Sequence, residues 1–389
     1  MVADNTFDAH AAAEHPSASP PVSAESCGCA RLDADLAAFA ALVALEPNSA
    51  DDLAAALRAA SAQIAASDLN DYDADGIRQN GGIALDDLFH LRVGLHDRVP
   101  AWLDAGLVTR SVEAGLRGVF RDGRYVTDMI GELVHGEVPR QVDGSDISAA
   151  TTPFRSAFTG GPLHTVVNPA SDGDGEVRFR SGDVLLVRGM LANSAAIARI
   201  GDIDSQFSHI GMVHVDESGE TTIVEALIER GATITSLDDA LAHGLARAVL
   251  LRPRDADLGR RAANRIKAHV ARSLTSHAPH IPYDFTMEPD GYRALFCSKL
   301  VRLAYAAASN GALILPTFQT RLGMKNRSFF RQIGVTATET FAPADIELDP
   351  AFTLVAEWRD FRNTALIRNQ DVVMDMIFHW MDTRNMQLK

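Results

Sequence analysis

Cysteine is scarce in this sequence: only three of its 389 residues are cysteines. Cys27 and Cys29 lie close together near the N-terminus, and Cys297 lies alone deep in the chain. Cysteines placed in this way do not form a disulfide framework, which excludes the small disulfide-stabilised scaffolds. No second pair of metal ligands lies near Cys27 and Cys29 outside a Ser- and Pro-rich leader, so we expect a flexible segment there. We predict no metal and no cofactor for this chain.

Positive charge and long apolar runs are lacking as well. The formal net charge is −15 at pH 7, and phosphate binding needs clustered lysine and arginine, so nucleic acid is not an expected partner. No stretch is apolar enough to span a bilayer, and we predict no transmembrane segment. Residues 1–21 lack the basic start and apolar run of a secretory signal. We therefore expect a cytoplasmic protein, with export by a non-classical secretion system as the alternative.

The chain length predicts two domains. Apolar residues such as Leu36, Phe39 and Leu42 recur at the spacing of a helix in the first third of the chain. We predict four segments, namely a disordered leader over 1–30, a helical accessory domain over 31–142, a linker over 143–177 and a catalytic domain over 178–389. The helical domain is also where we expect any contact that forms an oligomer.

The second half of the chain predicts an α+β domain with an antiparallel sheet. Strands are predicted at 182–187, 207–215, 221–227 and 248–251, because these runs are short and rich in β-branched residues. The second and third strands flank a Ser-Gly hairpin signal. Helices are predicted from 257 to 274 and from Cys297 onward.

Cys297 is placed where a thiol becomes reactive. The unpaired N–H groups and the dipole at a helix start favour thiolate over thiol, and the thiolate is the nucleophilic form. The alternative is a small buried hydrophobic residue, which many intracellular cysteines are.

Two further residues complete a possible catalytic group. His209 lies in a predicted strand on the same face as Phe207 and Gly211, and Glu225 lies inside the apolar run of the next strand. A buried carboxylate needs a partner, and orienting His209 provides one, although the hairpin register requires a diagonal contact. A structural histidine and a surface-facing glutamate are the alternatives. Together with Cys297, these residues predict a nucleophile, its base and an orienting carboxylate for acyl transfer.

Five segments resemble a known family. They are GDVLL at Gly182, FSHIGMV at Phe207, IVEAL at Ile223, PYDF at Pro282 and FCSKLVRLAY at Phe296. In this order they resemble the YiiX/YebB-like branch of the NlpC superfamily, the permuted papain-like cysteine hydrolases related to lecithin:retinol acyltransferase. In that branch the histidine strand precedes the cysteine helix, as His209 precedes Cys297 here.

The resemblance implies a circularly permuted papain-like fold and assigns roles to residues. It makes Cys297 the nucleophile, His209 the base and Glu225 the polar third member. Tyr283, in PYDF, corresponds to a tyrosine that borders the catalytic pocket. Two serines adjoin the base and the nucleophile, and with Tyr283 they are the residues expected to bind substrate or the oxyanion: Ser208 and Ser298.

The resemblance also narrows the function. The expected activity is hydrolysis of an amide or peptide bond, in a peptidoglycan-type peptide or isopeptide, through a thioester acyl-enzyme. One alternative is a lipid-directed hydrolase or acyltransferase that uses the same three residues. Another is a binding protein that keeps the fold without turnover. The expected partner is accordingly a small amide, peptide or lipid substrate.

Overall fold

Five helices form the N-terminal part of the computed structural model, which describes residues 26–66, 69–135, 163–171, 177–241, 245–275, 277–321 and 328–384. Side-chain caps explain where two of them begin: Ser49 accepts the N–H of Asp52 at the start of α2, and Asp73 accepts the N–H groups of Asp75 and Gly76 at the start of α3. The helices are α1 (Ala30–Val43), α2 (Ala50–Ala65), α3 (Ala74–Asn80), α4 (Gly82–Asp104) and α5 (Arg110–His135).

A seven-stranded antiparallel sheet forms the centre of the rest of the molecule. Its strands are β1 (His164–Val167), β2 (Val184–Gly189), β3 (His209–Val215), β4 (Thr221–Leu227), β5 (Gly231–Ser236), β6 (Leu245–Pro253) and β9 (Phe352–Arg359). They lie in the order β1-β9-β6-β2-β3-β4-β5. A separate pair, β7 (Phe318–Gln319) and β8 (Glu339–Thr340), lies between the last helices. The predicted α+β class with an antiparallel sheet is confirmed.

Six more helices belong to this part of the described chain. They are α6 (Ala192–Ile197), α7 (Leu237–Leu241), α8 (Ala256–Ser273), α9 (Cys297–Ala308), α10 (Ser328–Gln332) and α11 (Phe361–Arg384). Helices α8 and α9 pack on one face of the sheet, because alternate residues of the strands, among them Ile210, Met212 and Val224, share a core with Ile266 and Leu300. The helix predicted to open at Cys297 therefore lies against the strand that begins with His209.

The helical region and the sheet share one core. Side chains of α4 and α5, such as Phe89 and Ile130, belong to the same buried cluster as Val249 and Leu354 of the sheet. Buried ion pairs cross this contact, for example between Arg247 on β6 and Asp128 on α5. Residues on α5 therefore reach the strands that form the sheet.

Two parts of the predicted layout differ from the structure. Cys27 and Cys29 are buried in the helical core, so a flexible segment is wrong for residues 26–30, while residues 1–25 lie outside the described residues. The predicted linker contains β1, whose residues His164 to Val167 pair with β9. A polar, turn-rich composition hid this short edge strand, and 143–162 and 172–176 lie outside the described residues.

None of the helices in the described ranges combines the length and the apolar character needed to cross a bilayer.

Candidate active site

His209 is the first residue of β3, and its side chain remains partly accessible, with 22% of its surface exposed. Strand β3 is held between β2 and β4 by antiparallel pairing. The loop that precedes His209 is fixed by Ser205, whose hydroxyl donates to the carbonyl oxygen of Phe207 at 2.6 Å. The imidazole therefore has a fixed backbone and an open side toward solvent.

Cys297 is the first residue of α9, directly after the extended Phe296. Among the described residues no side chain caps this helix start, so its first backbone N–H groups have no side-chain acceptor. The thiol is buried, with Cys297 only 3% exposed, and its interaction with the imidazole is one of the causes that raise the pKa of His209. The structure thus brings the predicted nucleophile and base together across 88 residues of sequence.

Glu225 contacts the other side of the imidazole. Its Oε2 lies 2.7 Å from Nε2 of His209, which leaves Nδ1 as the ring nitrogen for the thiol. The contact is diagonal, as the hairpin register requires, since Met212 pairs with Val224 and places Glu225 beside Gly211 instead of His209. A Cβ at Gly211 would lie 2.5 Å from a methyl group of Ile223, so only glycine leaves this packing intact.

Thr235 extends this line of contacts by one residue. Its hydroxyl on β5 donates to Oε1 of Glu225 at 2.5 Å, while Oε2 faces His209. Sequence reasoning missed Thr235, because its proximity to Glu225 depends on the pairing of Ile223 with Thr235 across two strands. Both carboxylate oxygens of this 4% exposed residue therefore have a partner.

The electrostatics of His209 follow from these neighbours. Burial alone would lower its pKa, but hydrogen bonds and charge interactions with Cys297 and then Glu225 outweigh it and raise the pKa of His209 to about 10. The imidazole therefore carries a proton at neutral pH. An imidazolium beside a sulfur atom stabilises the thiolate form.

Tyr283 borders the same group. Burial raises the pKa of Tyr283 well above its ordinary value, and the nearby charge of Cys297 raises it further, so the phenol keeps its proton. The ring of Tyr283 lies 5.0 Å from that of Phe285, and its backbone forms a parallel bridge with Leu295. This bridge places the PYDF segment beside the start of α9, where the phenol is an available hydrogen-bond donor.

A buried ion pair joins PYDF to the cysteine helix. Lys299 Nζ lies 2.8 Å from Oδ2 of Asp284, and both side chains are less than a tenth exposed. Burial opposes ionisation of Asp284, but Lys299 and the hydroxyl and N–H of Thr286 hold its pKa below the usual range. Sequence reasoning missed this pair, although a lysine inside the apolar face of α9 and an aspartate inside PYDF were a visible signal.

Ser208 and Ser298 support the backbone beside the site. The Ser208 hydroxyl accepts the N–H of Gly189 at 3.1 Å, and the Ser298 hydroxyl donates to the carbonyl oxygen of Phe341 at 2.5 Å. The single hydroxyl hydrogen of Ser298 is therefore already used. The predicted contact of Ser208 and Ser298 with substrate or oxyanion stays a prediction.

Among the residues that the structure describes, no three His, Cys, Asp or Glu side chains are grouped as metal ligands would be.

Comparison with known proteins gives one match. Residues 178–356 match the family described as permuted papain-like amidase enzyme, YaeF/YiiX, C92 family. This range contains the strand with His209 and the helix with Cys297, and it leaves out α1 to α5 and α11. No curated protein and no solved structure matches the chain.

Proposed function

Because residues 178–356 belong to the permuted papain-like amidase family, we propose that this protein is a cysteine amidase or peptidase that works through a thioester acyl-enzyme. The family match supports the general part of this proposal, namely that the protein hydrolyses an amide bond. The single observation that carries the mechanism is the placement of His209 between Glu225, to which it is hydrogen-bonded, and Cys297, which raises its pKa. A peptide or isopeptide of the peptidoglycan type is the substrate class that we propose.

The first half of the reaction forms the acyl-enzyme. The Cys297 thiolate attacks the carbonyl carbon of the scissile amide, and the carbonyl oxygen takes the electron pair. The His209 imidazolium then donates its proton to the leaving nitrogen, the C–N bond breaks, and an amine leaves. The support for this step is the proton that His209 carries at neutral pH, given its pKa of about 10.

The second half hydrolyses the thioester. Neutral His209 removes a proton from a water molecule, whose oxygen attacks the thioester carbon and displaces the sulfur. The products are a carboxylic acid and the regenerated thiolate with its imidazolium. Glu225 keeps the ring oriented and stabilises its charged form in both halves, and its hydrogen bond to His209 Nε2 supports this role.

Two donors are proposed for the developing oxyanion. One is the backbone N–H of Cys297, at a helix start that no described side chain caps. The other is the hydroxyl of Tyr283, which keeps its proton because burial and the charge of Cys297 raise its pKa. We propose that substrate enters on the side where His209 is partly exposed.

The test uses the other two cysteines as internal controls. Cys27 is buried and donates to Asp33, and burial followed by this contact raises the pKa of Cys27 to about 12. Iodoacetamide is added to the native chain at neutral pH, and each cysteine is quantified by mass spectrometry. We expect Cys297 to react at least about tenfold faster than Cys27, because only a thiolate reacts well.

Variants and substrates separate the remaining possibilities. His209→Ala is expected to slow hydrolysis of model peptide amides by about 10²- to 10⁴-fold, the usual contribution of a general acid and base. Cys297→Ser should abolish turnover while the chain remains folded. Equal labelling of the three cysteines would contradict the proposal. Reaction of Cys297 with lipid esters but with no amide would instead favour the lipid-directed alternative.

A further inference from the structure

Two arginines of α5 repeat the same contact pattern on one face of the helix. Arg117 and Arg124 are seven residues apart, which places them two turns apart on a common face. Each arginine forms hydrogen bonds to the same two segments of the chain. One is the loop 201–208 that leads to His209, and the other is the stretch 341–348 that contains a 3-10 helix, Pro343–Leu348.

Arg117 makes the first of these bridges. Its Nη1 lies 2.8 Å from Oδ1 of Asp202 in the loop, and its Nη2 lies 2.8 Å from Oδ1 of Asp345 in the 3-10 helix. The guanidinium also stacks on the ring of Phe318 at 4.1 Å. Only 9% of the Arg117 side chain is exposed, so these contacts are weakly screened by solvent.

Arg124 makes the second bridge, deeper in the molecule. Its Nε donates to Oε1 of Gln206 at 2.6 Å, and its Nη1 donates to both carboxylate oxygens of Glu347, at 2.5 and 2.6 Å. Its guanidinium lies 5.0 Å from the ring of Phe207. Asp202 and Gln206 are four residues apart in the loop, and the two bridges therefore hold it at both ends.

The two segments lead to the two reacting side chains. Gln206 precedes His209 by three residues and has a φ of 59°, a left-handed conformation that an L-residue adopts at a cost. The carbonyl oxygen of Phe341 accepts the hydroxyl of Ser298, the neighbour of Cys297. Fixing the loop relative to 341–348 therefore fixes the imidazole relative to the thiol.

We propose that Arg117 and Arg124 are positioning residues for the His209–Cys297 pair, so that α5 is a working part of the catalytic unit. This inference rests on the proposed function, because the bridges have this role only if His209 and Cys297 are the catalytic pair. Helix α5 lies outside residues 178–356, the range that matches the amidase family. The guanidinium group suits this task, since it keeps its charge and offers donors in a rigid fork to two acceptors at once.

Arg117→Gln is the variant that tests the proposal, and Arg98→Gln is its matched control. Arg98 also forms an ion pair, with Glu46, and also lies over an aromatic ring, that of Trp102, but both partners belong to the helical region. Hydrogen–deuterium exchange of peptides covering 201–209 and 297–300 is measured in the full-length chain. The alkylation rate of Cys297 is followed on the same samples from acidic to alkaline pH.

We expect Arg117→Gln to raise the exchange rate of 201–209 and to lower the alkylation rate of Cys297 at neutral pH, each by about tenfold. Arg98→Gln should change neither, and Arg117→Lys should restore part of the alkylation rate, because it keeps the charge without the fork. A merely structural role would reduce stability and leave the pH profile of Cys297 in the folded variant unchanged.

Two outcomes would overturn the inference. Exchange in 201–209 that is the same in Arg117→Gln and wild type would show that the bridge does not hold the loop. An equal loss of Cys297 reactivity in Arg98→Gln would show a general effect of destabilisation. If wild-type Cys297 is no more reactive than Cys27, the proposed function fails, and the exchange data still decide whether the loop is held by α5.

Discussion

Two buried polar clusters of this molecule are built on opposite principles. One is the active-site line of Cys297, His209 and Glu225. The other lies between α4, α5, β6 and β9 and consists of four arginines and their acids; the arginines are Arg92, Arg124, Arg247 and Arg359. In the first, the imidazole is 22% exposed and titrates at a pKa of about 10. In the second, the arginines are at most 2% exposed and keep their charge at any physiological pH.

Multiple pairing is what allows the arginine cluster to remain buried. Asp128 on α5 accepts from both Arg247 and Arg359, and Glu357 accepts from both Arg92 and Arg359. Burial alone would raise the pKa of Glu357, but the charges of Arg359 and Arg92 outweigh it and lower the pKa to about 2. The cluster therefore stays ionised through the neutral range and joins the helices to the sheet permanently.

The side chains of the active-site line have fewer charged partners than those of the arginine cluster, and this difference leaves His209 able to exchange a proton. His209 has one partner on each side, and one of these partners is the thiol that would react with substrate. A proton can leave and return to the ring because its neighbours are weak acids and bases instead of fixed charges. Permanent charges thus hold this fold, while titrating groups at its open edge carry the proposed reaction.

Removing an acid from the arginine cluster should have the largest effect on stability. Asp128→Ala leaves Arg247 and Arg359 buried without their shared partner, which is expected to cost about 3–5 kcal/mol of unfolding free energy. Urea denaturation measures this loss. Asp257→Ala removes a carboxylate from an exposed pair with Arg260, and we expect it to leave the urea midpoint almost unchanged because solvent screens this pair. Equal losses in the two variants would show that burial and shared pairing do not make this cluster more important for stability than an exposed pair.

Glu225→Gln should have an intermediate effect, on activity and on its pH dependence. Glu225 is one of the groups that raise the pKa of His209, so its loss lowers that pKa from about 10. The imidazolium is then lost at a lower pH, and the alkaline limb of kcat/KM moves toward neutrality. We also expect kcat/KM at neutral pH to fall by about 10²-fold or more.

The measurement for Glu225→Gln is a pH–rate profile together with NMR titration of the His209 ring. An alkaline limb at the same pH in both proteins would show that Glu225 does not set the charge of the imidazole. If Glu225→Gln loses activity but keeps its stability, Glu225 serves the reaction and does not stabilise the fold.

Thr235→Val should have the smallest effect. It removes the hydroxyl that donates to Oε1 of Glu225 and leaves the contact between Oε2 and His209 in place. One such hydrogen bond is worth about 1 kcal/mol, so we expect a loss of about fivefold in kcat/KM. Thr222→Val, on the neighbouring strand β4, is the control, since its hydroxyl donates to the backbone carbonyl of His214. An equal loss in both variants would point to packing instead of the line of contacts.

Local patterns predicted the elements around the site well. The strand at Thr221–Leu227 and the helix that begins at Cys297 lie where the sequence predicted them, and the helix Ala256–Ser273 differs from its prediction by one residue at each end. The reason is that β-branched runs, hairpin signals and helix starts are set by nearby residues. The roles of Cys297, His209 and Glu225 stay predictions, although the structure brings the three side chains together.

Strand β9 shows where such reasoning fails. Its residues Glu357 and Arg359 lie in the sheet interior at 1% exposure, whereas charged residues in a strand usually indicate a solvent-facing side. Arg359 pairs with Asp128, which is 231 positions away in the chain, and Glu357 pairs with Arg92, which is 265 positions away. No local pattern reports a contact over that separation, because loop closure joins the elements only in the folded state.

The sequence alone determined the fold class, the family resemblance and the order in which histidine and cysteine follow each other. These are properties of neighbouring residues and of motif order, which exist before the chain folds. Only the tertiary structure decided that Thr235 supports Glu225, that Lys299 pairs with Asp284, and that α5 reaches the loop before His209. Each depends on strand register or on packing between distant segments, where the cost of a buried charge is balanced by a partner that the chain brings from far away.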